Sequence, residues 1–261
     1  MGEKPMIWWQ STITKPVVLR TLRNLPHEGF SFALGRFMRY KELNTRRLTT
    51  KELIDVLHKS AILYSEYGET TLLFIFREKK LDSYDYYEVR FGKNNFMHLA
   101  GIKSEALSAN EFYDACLKGV IKREVCNPRR DANIMYSKVA IMEQMLDLRN
   151  SKCYKIGEKN LVTRDNDFEM ATGNSNGIIG YDSRIKVKGT GEIDITKSSI
   201  PTTLLNNSIT RYCTKPQKIM FILQKYDGEN TYSKLFYEIK KGLFQKEKEF
   251  FEDGIRSLCC I

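Results

Sequence analysis

The feature that most restricts the fold of this chain is a change of hydrophobic period at Tyr67-Gly68. Before it, Leu53, Val56, Leu57 and Leu63 recur at helical spacing behind Thr49, which can form a capping box with Glu52, so a helix is expected from about Thr49 to Tyr67. After it, residues 70–77 form a continuous apolar, β-favouring run and residues 86–91 a second, joined by the polar stretch 79–85, which predicts a hairpin. A second hairpin is predicted downstream, where the runs 218–225 and 232–240 flank Asp227-Gly228. Between the hairpins the helical period returns. Ser108 with Glu111 opens a helix to about Lys118, and Asp131 opens one to about Arg149 with Ile134, Met135, Met142, Met145 and Leu146 inward.

Shorter β-like runs occupy 160–163, 168–172 and 185–187, while Ile200-Pro201-Thr202-Thr203-Leu204-Leu205 is expected as a short helix with its proline at a first helical position. Residues 244–259 have the pattern of an amphipathic helix. Helices grouped around a mainly antiparallel sheet define an α+β protein, in contrast to the strand-helix alternation of a doubly wound fold. The expected organisation is an N-terminal arm and helix over 1–69, an α+β domain over 70–243 and a C-terminal helix over 244–261. The first forty residues mix Pro5, Pro16, Pro26 and Gly29 with aromatic and arginine residues, the composition of an extended arm or of short elements packed on a neighbour.

A chain of 261 residues with 42% apolar content can bury a core without disulfide or metal staples. Its 42 Lys and Arg against 32 Asp and Glu leave a formal charge of +10, which favours a phosphate-rich partner, RNA or another nucleic acid, over an acidic small substrate. The six cysteines, Cys116, Cys126, Cys153, Cys213, Cys259 and Cys260, form no zinc-type spacing, and reduced thiols in a cytoplasmic protein are expected. No run approaches the roughly 20 apolar residues of a membrane helix, so no membrane partner is expected. Phosphate-loop, GxGxxG, HExxH, kinase and GxSxG signatures are missing, which weighs against NTPases, nicotinamide enzymes and zinc hydrolases and leaves no cofactor or metal to expect.

Proton transfer near neutral pH has three histidine candidates, His27, His58 and His98. His58 is expected on a helix surface. His98 lies in Asn95-Phe96-Met97-His98-Leu99-Ala100-Gly101-Ile102, between the first hairpin and the next helix. From the residues alone, it reads either as a histidine hydrogen-bonded within an apolar turn or as a group facing a cleft.

Three separated segments, taken together, resemble the fourth group of the phage-borne Barnase-EndoU-Colicin-RelE-like nucleases. They are Asn95 to Ile102, then Ile200-Pro201-Thr202-Thr203-Leu204-Leu205, and Ile219-Met220-Phe221-Ile222-Leu223-Gln224-Lys225 followed by Tyr232 to Lys240. The resemblance covers roughly Thr70 to Leu243. It implies a Barnase/EndoU/RelE-like fold with an N-terminal extension, and metal-independent RNA cleavage by a phage or mobile-element effector or toxin. Under it His98 would be the acid or base, with Lys234, Tyr237 and Lys240 beside it in the catalytic group. Arg90, Arg184, Lys186, Lys188, Lys197, Thr202 and Thr203 would contact the substrate. A different class of function uses the same basic face: a non-catalytic protein of this fold that binds nucleic acid, or inhibits a host or defence protein. A protein partner, either a neutralising protein or a host machine gripped through Trp8 and Trp9, fits both.

Overall fold

The computed structural model describes residues 47–78, 83–150, 155–158, 168–186, 193–213 and 215–259. Helix α1 (Thr50–Ser65) starts where its cap dictates: the Thr49 hydroxyl accepts the Glu52 N–H, and the Glu52 carboxylate accepts the Thr49 N–H at 2.8 Å. It buries Leu53, Leu57, Ala61 and Tyr64. The chain then enters strand β1 (Thr70–Glu78), which pairs antiparallel with β2 (Ser83–Phe91) from Thr70↔Phe91 to Glu78↔Ser83.

β1 is covered on both faces, which explains its unbroken apolar run. Leu72, Phe74 and Phe76 join the core beneath α1, whereas Leu73 and Ile75 join a second cluster with Phe221, Leu223, Phe244 and Phe251. Its other edge pairs with β9 (Gln217–Tyr226), whose hairpin partner is β10 (Lys234–Glu238).

Helices follow β2. They are α2 (Lys93–Leu99), α3 (Ala109–Leu117), capped by Ser108 and Glu111 as expected, and α4 (Ala132–Leu146), capped by Asp131. A two-residue pairing of β3 (Ile102–Lys103) with β4 (Asn127–Pro128) lies between them. The remaining strands are β5 (Lys155–Glu158), β6 (Met170–Gly173), β7 (Ile178–Lys186) and β8 (Ile193–Leu205).

Hydrogen bonding runs through a full circuit, β1–β2–β8–β7–β6–β5–β9 and back to β1, with β10 attached to β9. Two joints in it are slight: β2–β8, a parallel contact at Val89↔Ser199, and β5–β9, at two residue pairs. The pairing is otherwise antiparallel, so the class is the expected α+β. Residues 160–163 lie outside the described residues.

The structure corrects three sequence expectations. Residues 200–205 are the end of β8, not a helix. Pro201 lies opposite Tyr181 at a register shift, where a missing N–H costs the ladder little, and Thr202 and Thr203 favour a strand. Residues 244–259 are not one helix either. They divide into α5 (Leu243–Glu247), a 3₁₀ turn (Lys248–Phe250) and α6 (Asp253–Leu258). The break at Phe251, which is extended, sets its ring 5.0 Å from Tyr84 and 5.7 Å from Phe221. The third correction is Ile134, which sits in the first turn of α4 at 46% exposure, while Met135, Met142, Met145 and Leu146 are fully buried.

That difference gives a stability test. Met142→Ala should cost about 2–5 kcal/mol in chemical denaturation. Ile134→Ala should stay within about 0.5 kcal/mol of wild type.

Candidate active site

His98 stands in the last turn of α2, and the turn that follows brings its partners together. Gly101, at φ +70°, occupies the left-handed region that a side chain resists, and it bends the chain from α2 into β3. The Gly101 carbonyl accepts the Arg129 N–H at 2.9 Å, which fixes the β4 end beside the α2 terminus. A Cβ on Gly101 would come within 2.9 Å of Cδ of Lys138, which reaches in from α4. From the opposite side comes β8. Thr202 is the residue skipped in its register with β7, a bulge that turns it out of the ladder.

These four pieces of chain converge on the imidazole. The Arg129 guanidinium donates to Nδ1 of His98, and the Thr202 main chain supplies a second hydrogen bond to the ring. A guanidinium can only donate, so Nδ1 carries the lone pair and Nε2 the proton, given to the Thr202 carbonyl. Lys138 Nζ donates to the Thr203 hydroxyl at 3.4 Å, and the Thr202 hydroxyl is directed to the Gly180 carbonyl at 3.2 Å. No ion pair involves Arg129, Arg130 or Lys138 among the described residues.

The electrostatics follow from that imbalance. Burial pushes His98 down from its ordinary 6.5 to about 4, assisted by Arg129, Lys138 and Arg130 against the opposing pull of the Thr202 hydrogen bond. Burial likewise lowers Lys138 from 10.5 to about 8, with help from Arg129 and Arg130. Clustered, partly desolvated cations without carboxylates are stabilised by an anion, and a phosphate would shift the pKa of both groups upward.

Of the residues proposed from sequence, Thr202 and Thr203 are brought to His98. Arg90 is not brought to His98: it makes a bidentate pair with Asp227 at 2.6 and 2.8 Å and has Glu69 at 3.7 Å. Lys234 reaches the Tyr226 hydroxyl at 3.3 Å and lies over that ring. Tyr237 is buried in the main core, and Lys240 is exposed in the turn beyond β10. Arg184 and Lys186 fall in β7 and Lys197 in β8, with side chains outside the described residues, as is all of Lys188. His58 is held by the Cys116 carbonyl at 2.8 Å.

Sequence reasoning missed Arg129, Arg130 and Lys138. Their signals were present: an arginine pair directly before the helix cap Asp131, and a lysine three residues after Met135, within the apolar stripe of α4. Among the described residues no group of three or more His, Cys, Asp or Glu is placed to hold a metal, and no helix is long and apolar enough to cross a membrane.

The depressed pKa of His98 means that the unfolded chain binds more protons between about pH 6.5 and 4, so stability falls on acidification through that window. His98→Gln should flatten this part of the melting temperature against pH curve. Lys138→Met, which removes an uncompensated cation, should raise the melting temperature at pH 7.

A family model described as phage-Barnase-EndoU-ColicinE5/D-RelE like nuclease 4 matches residues 56–241, from within α1 to just past β10. Searches of curated proteins and of solved structures returned no match. The matched span takes in α2, the β3–β4 pair, α4 and β8, and hence every element that supplies the His98 cluster, so the chain belongs to the phage-Barnase-EndoU-ColicinE5/D-RelE like nuclease family, group 4.

Proposed function

We propose that this protein is a metal-independent endoribonuclease effector of a phage or another mobile element, with its reaction centred on His98. The observation that carries the reading is the clustering of a neutral imidazole, a lysine whose pKa is lowered to about 8 and two exposed arginines, within a nuclease family. Cleavage through the ribose 2′-hydroxyl requires a base, an acid and cations for the charge that builds on phosphorus.

Each requirement has a candidate in this cluster. An incoming phosphodiester draws the Arg129 guanidinium to its own oxygens, which frees Nδ1 of His98. Nδ1 then takes the 2′-hydroxyl proton as the 2′-oxygen forms a bond to phosphorus. The bond from phosphorus to the 5′-oxygen breaks, and the Lys138 ammonium returns a proton to that oxygen. The products are a 2′,3′-cyclic phosphate and a 5′-hydroxyl. Arg129 and Arg130 neutralise the intermediate charge.

The other reading, a binder without catalysis in which the same face holds nucleic acid or a host protein, is favoured by one observation. At rest Arg129 occupies the lone pair that a base would need.

Incubation with total RNA in chelator, followed by mapping of new ends, separates the two. Discrete cuts with cyclic-phosphate ends are expected, and His98→Ala and Lys138→Ala should each lower the rate by at least about a hundredfold while still binding RNA. Full activity in either variant removes that residue from the reaction, and a wild type that cuts no RNA leaves the binder. The rate should rise as His98 loses its proton above about pH 4 and fall as Lys138 loses its own above about pH 8. With Arg129, Arg130 and Lys138 as the phosphate contacts, the logarithm of RNA affinity should fall with that of salt with a slope of about −2, reduced by roughly 0.7 in Arg130→Ala.

A further inference from the structure

At the other end of α2 from His98 is a cavity of about 350 Å³, lined in part by Glu69, Arg90, Gly92, Asn94, Asn110 and Ile200, a volume within the range of small-ligand sites. It shares helix α2 with His98. Asn94 precedes His98 by one turn of α2, a rise of about 6 Å that places both on one helix face. Ile200 precedes Thr202 by two residues of β8, about 7 Å along the strand. Helix α2 packs on β8, so the cavity and the His98 cluster lie along one helix-strand pair.

The two ends differ in charge. Around His98 the basic groups have no acidic partner among the described residues. In the cavity one carboxylate, Glu69, faces one guanidinium, Arg90, which is already paired with Asp227. A phosphate is disfavoured there, and a neutral hydrogen-bonding ligand is not.

The side chains suit such a ligand. The Asn94 and Asn110 amides make no hydrogen bond among the described residues, and each offers both donors and an acceptor. Ile200 adds an apolar wall. Glu69 has φ +61°, the one non-glycine residue in the left-handed region among those described, a conformation that persists where its surroundings hold it. Its N–H is bound to the Phe91 carbonyl at 2.6 Å, and Oε1 accepts the Lys93 N–H at 2.5 Å, while Oε2 stands 3.7 Å from Arg90. By contrast, the Asn95 amide oxygen is spent on the Gly92 N–H and is structural.

We propose that this cavity is a nucleobase subsite that reads a purine one nucleotide away from the phosphate held beside His98. A carboxylate acceptor with two amides matches the mixed donor and acceptor edges of a purine, and single-stranded RNA presents such edges unstacked. The subsite rests on the ribonuclease reading for its substrate but has its own test.

The probes are the four nucleoside 3′-monophosphates and inorganic phosphate, titrated into the isotopically labelled full chain while the Asn94 and Asn110 side-chain amide signals are followed. Purine nucleotides should shift both amides, pyrimidine nucleotides much less, and inorganic phosphate should move only the Arg129 and Lys138 signals. Asn94→Ala and Glu69→Gln, the latter retaining the cap on Lys93, should each weaken purine nucleotide binding about tenfold and leave phosphate binding and the melting temperature unchanged. Equal amide responses to phosphate and nucleotides, no response to any nucleotide, or undiminished binding in both variants overturns the subsite. If nucleotides bind as described but the wild type cuts no RNA, the subsite stands and the ribonuclease reading fails. If RNA is cut with no preference for the base beside the cut and the amides stay silent, the subsite alone fails.

Discussion

The fold depends on the burial of β1 from all sides. Its edges are hydrogen-bonded to β2 and β9, and its faces carry two separate apolar clusters. Each of the side chains from Leu72 to Phe76 gives up almost all of its exposure, and burial of one such side chain stabilises by about 1.5–3 kcal/mol. One cluster joins the sheet to α1, α3 and α4, and the other joins it to the C-terminal segment. Tyr64 links β2 to the helices, with Phe91, Phe96 and Tyr113 rings within 5.9 Å of its own and its hydroxyl on the Gly92 carbonyl. Helix α2 is thereby set on a rigid base, and the position of His98 follows from it.

The site at the far end of α2 runs against stability, because it concentrates positive charge where water is partly excluded. Lys138 could sit in the apolar stripe of α4 as a methionine at less cost. Its retention beside Arg129 and His98 is intelligible if an anion visits, since the anion supplies the missing countercharge. The contrast with Arg90 is instructive: that arginine already has its countercharge, from Asp227 and Glu69.

Much of the fold was legible because local signals and global packing agree. The capping boxes at Thr49 and Ser108, both hairpins and the buried stripe of α4 from Met135 to Leu146 all follow from side-chain chemistry within a few residues. The segment 200–205 misled because proline at a first helical position and proline at a bulge look alike in sequence, and only the partner strand distinguishes them. The site was half legible. A histidine near a turn drew attention to the position where the structure gathers Arg129 and Lys138, and Thr202 and Thr203 were named with it. Arg129 and Lys138 arrive through the Gly101 turn and the α4 stripe, contacts 31 and 40 residues from His98 in the chain, which no local pattern records.

The bulge at Thr202 has a consequence for how such a site changes over generations. The imidazole is steered by a main-chain carbonyl, an atom every amino acid possesses, while the hydroxyl of the same residue is directed to the Gly180 carbonyl. Drift at position 202 therefore leaves the orienting group in place so long as the bulge survives. Two descendants could keep the same histidine geometry with unlike residues there, so a signature built on side-chain types would lose the site sooner than the backbone does.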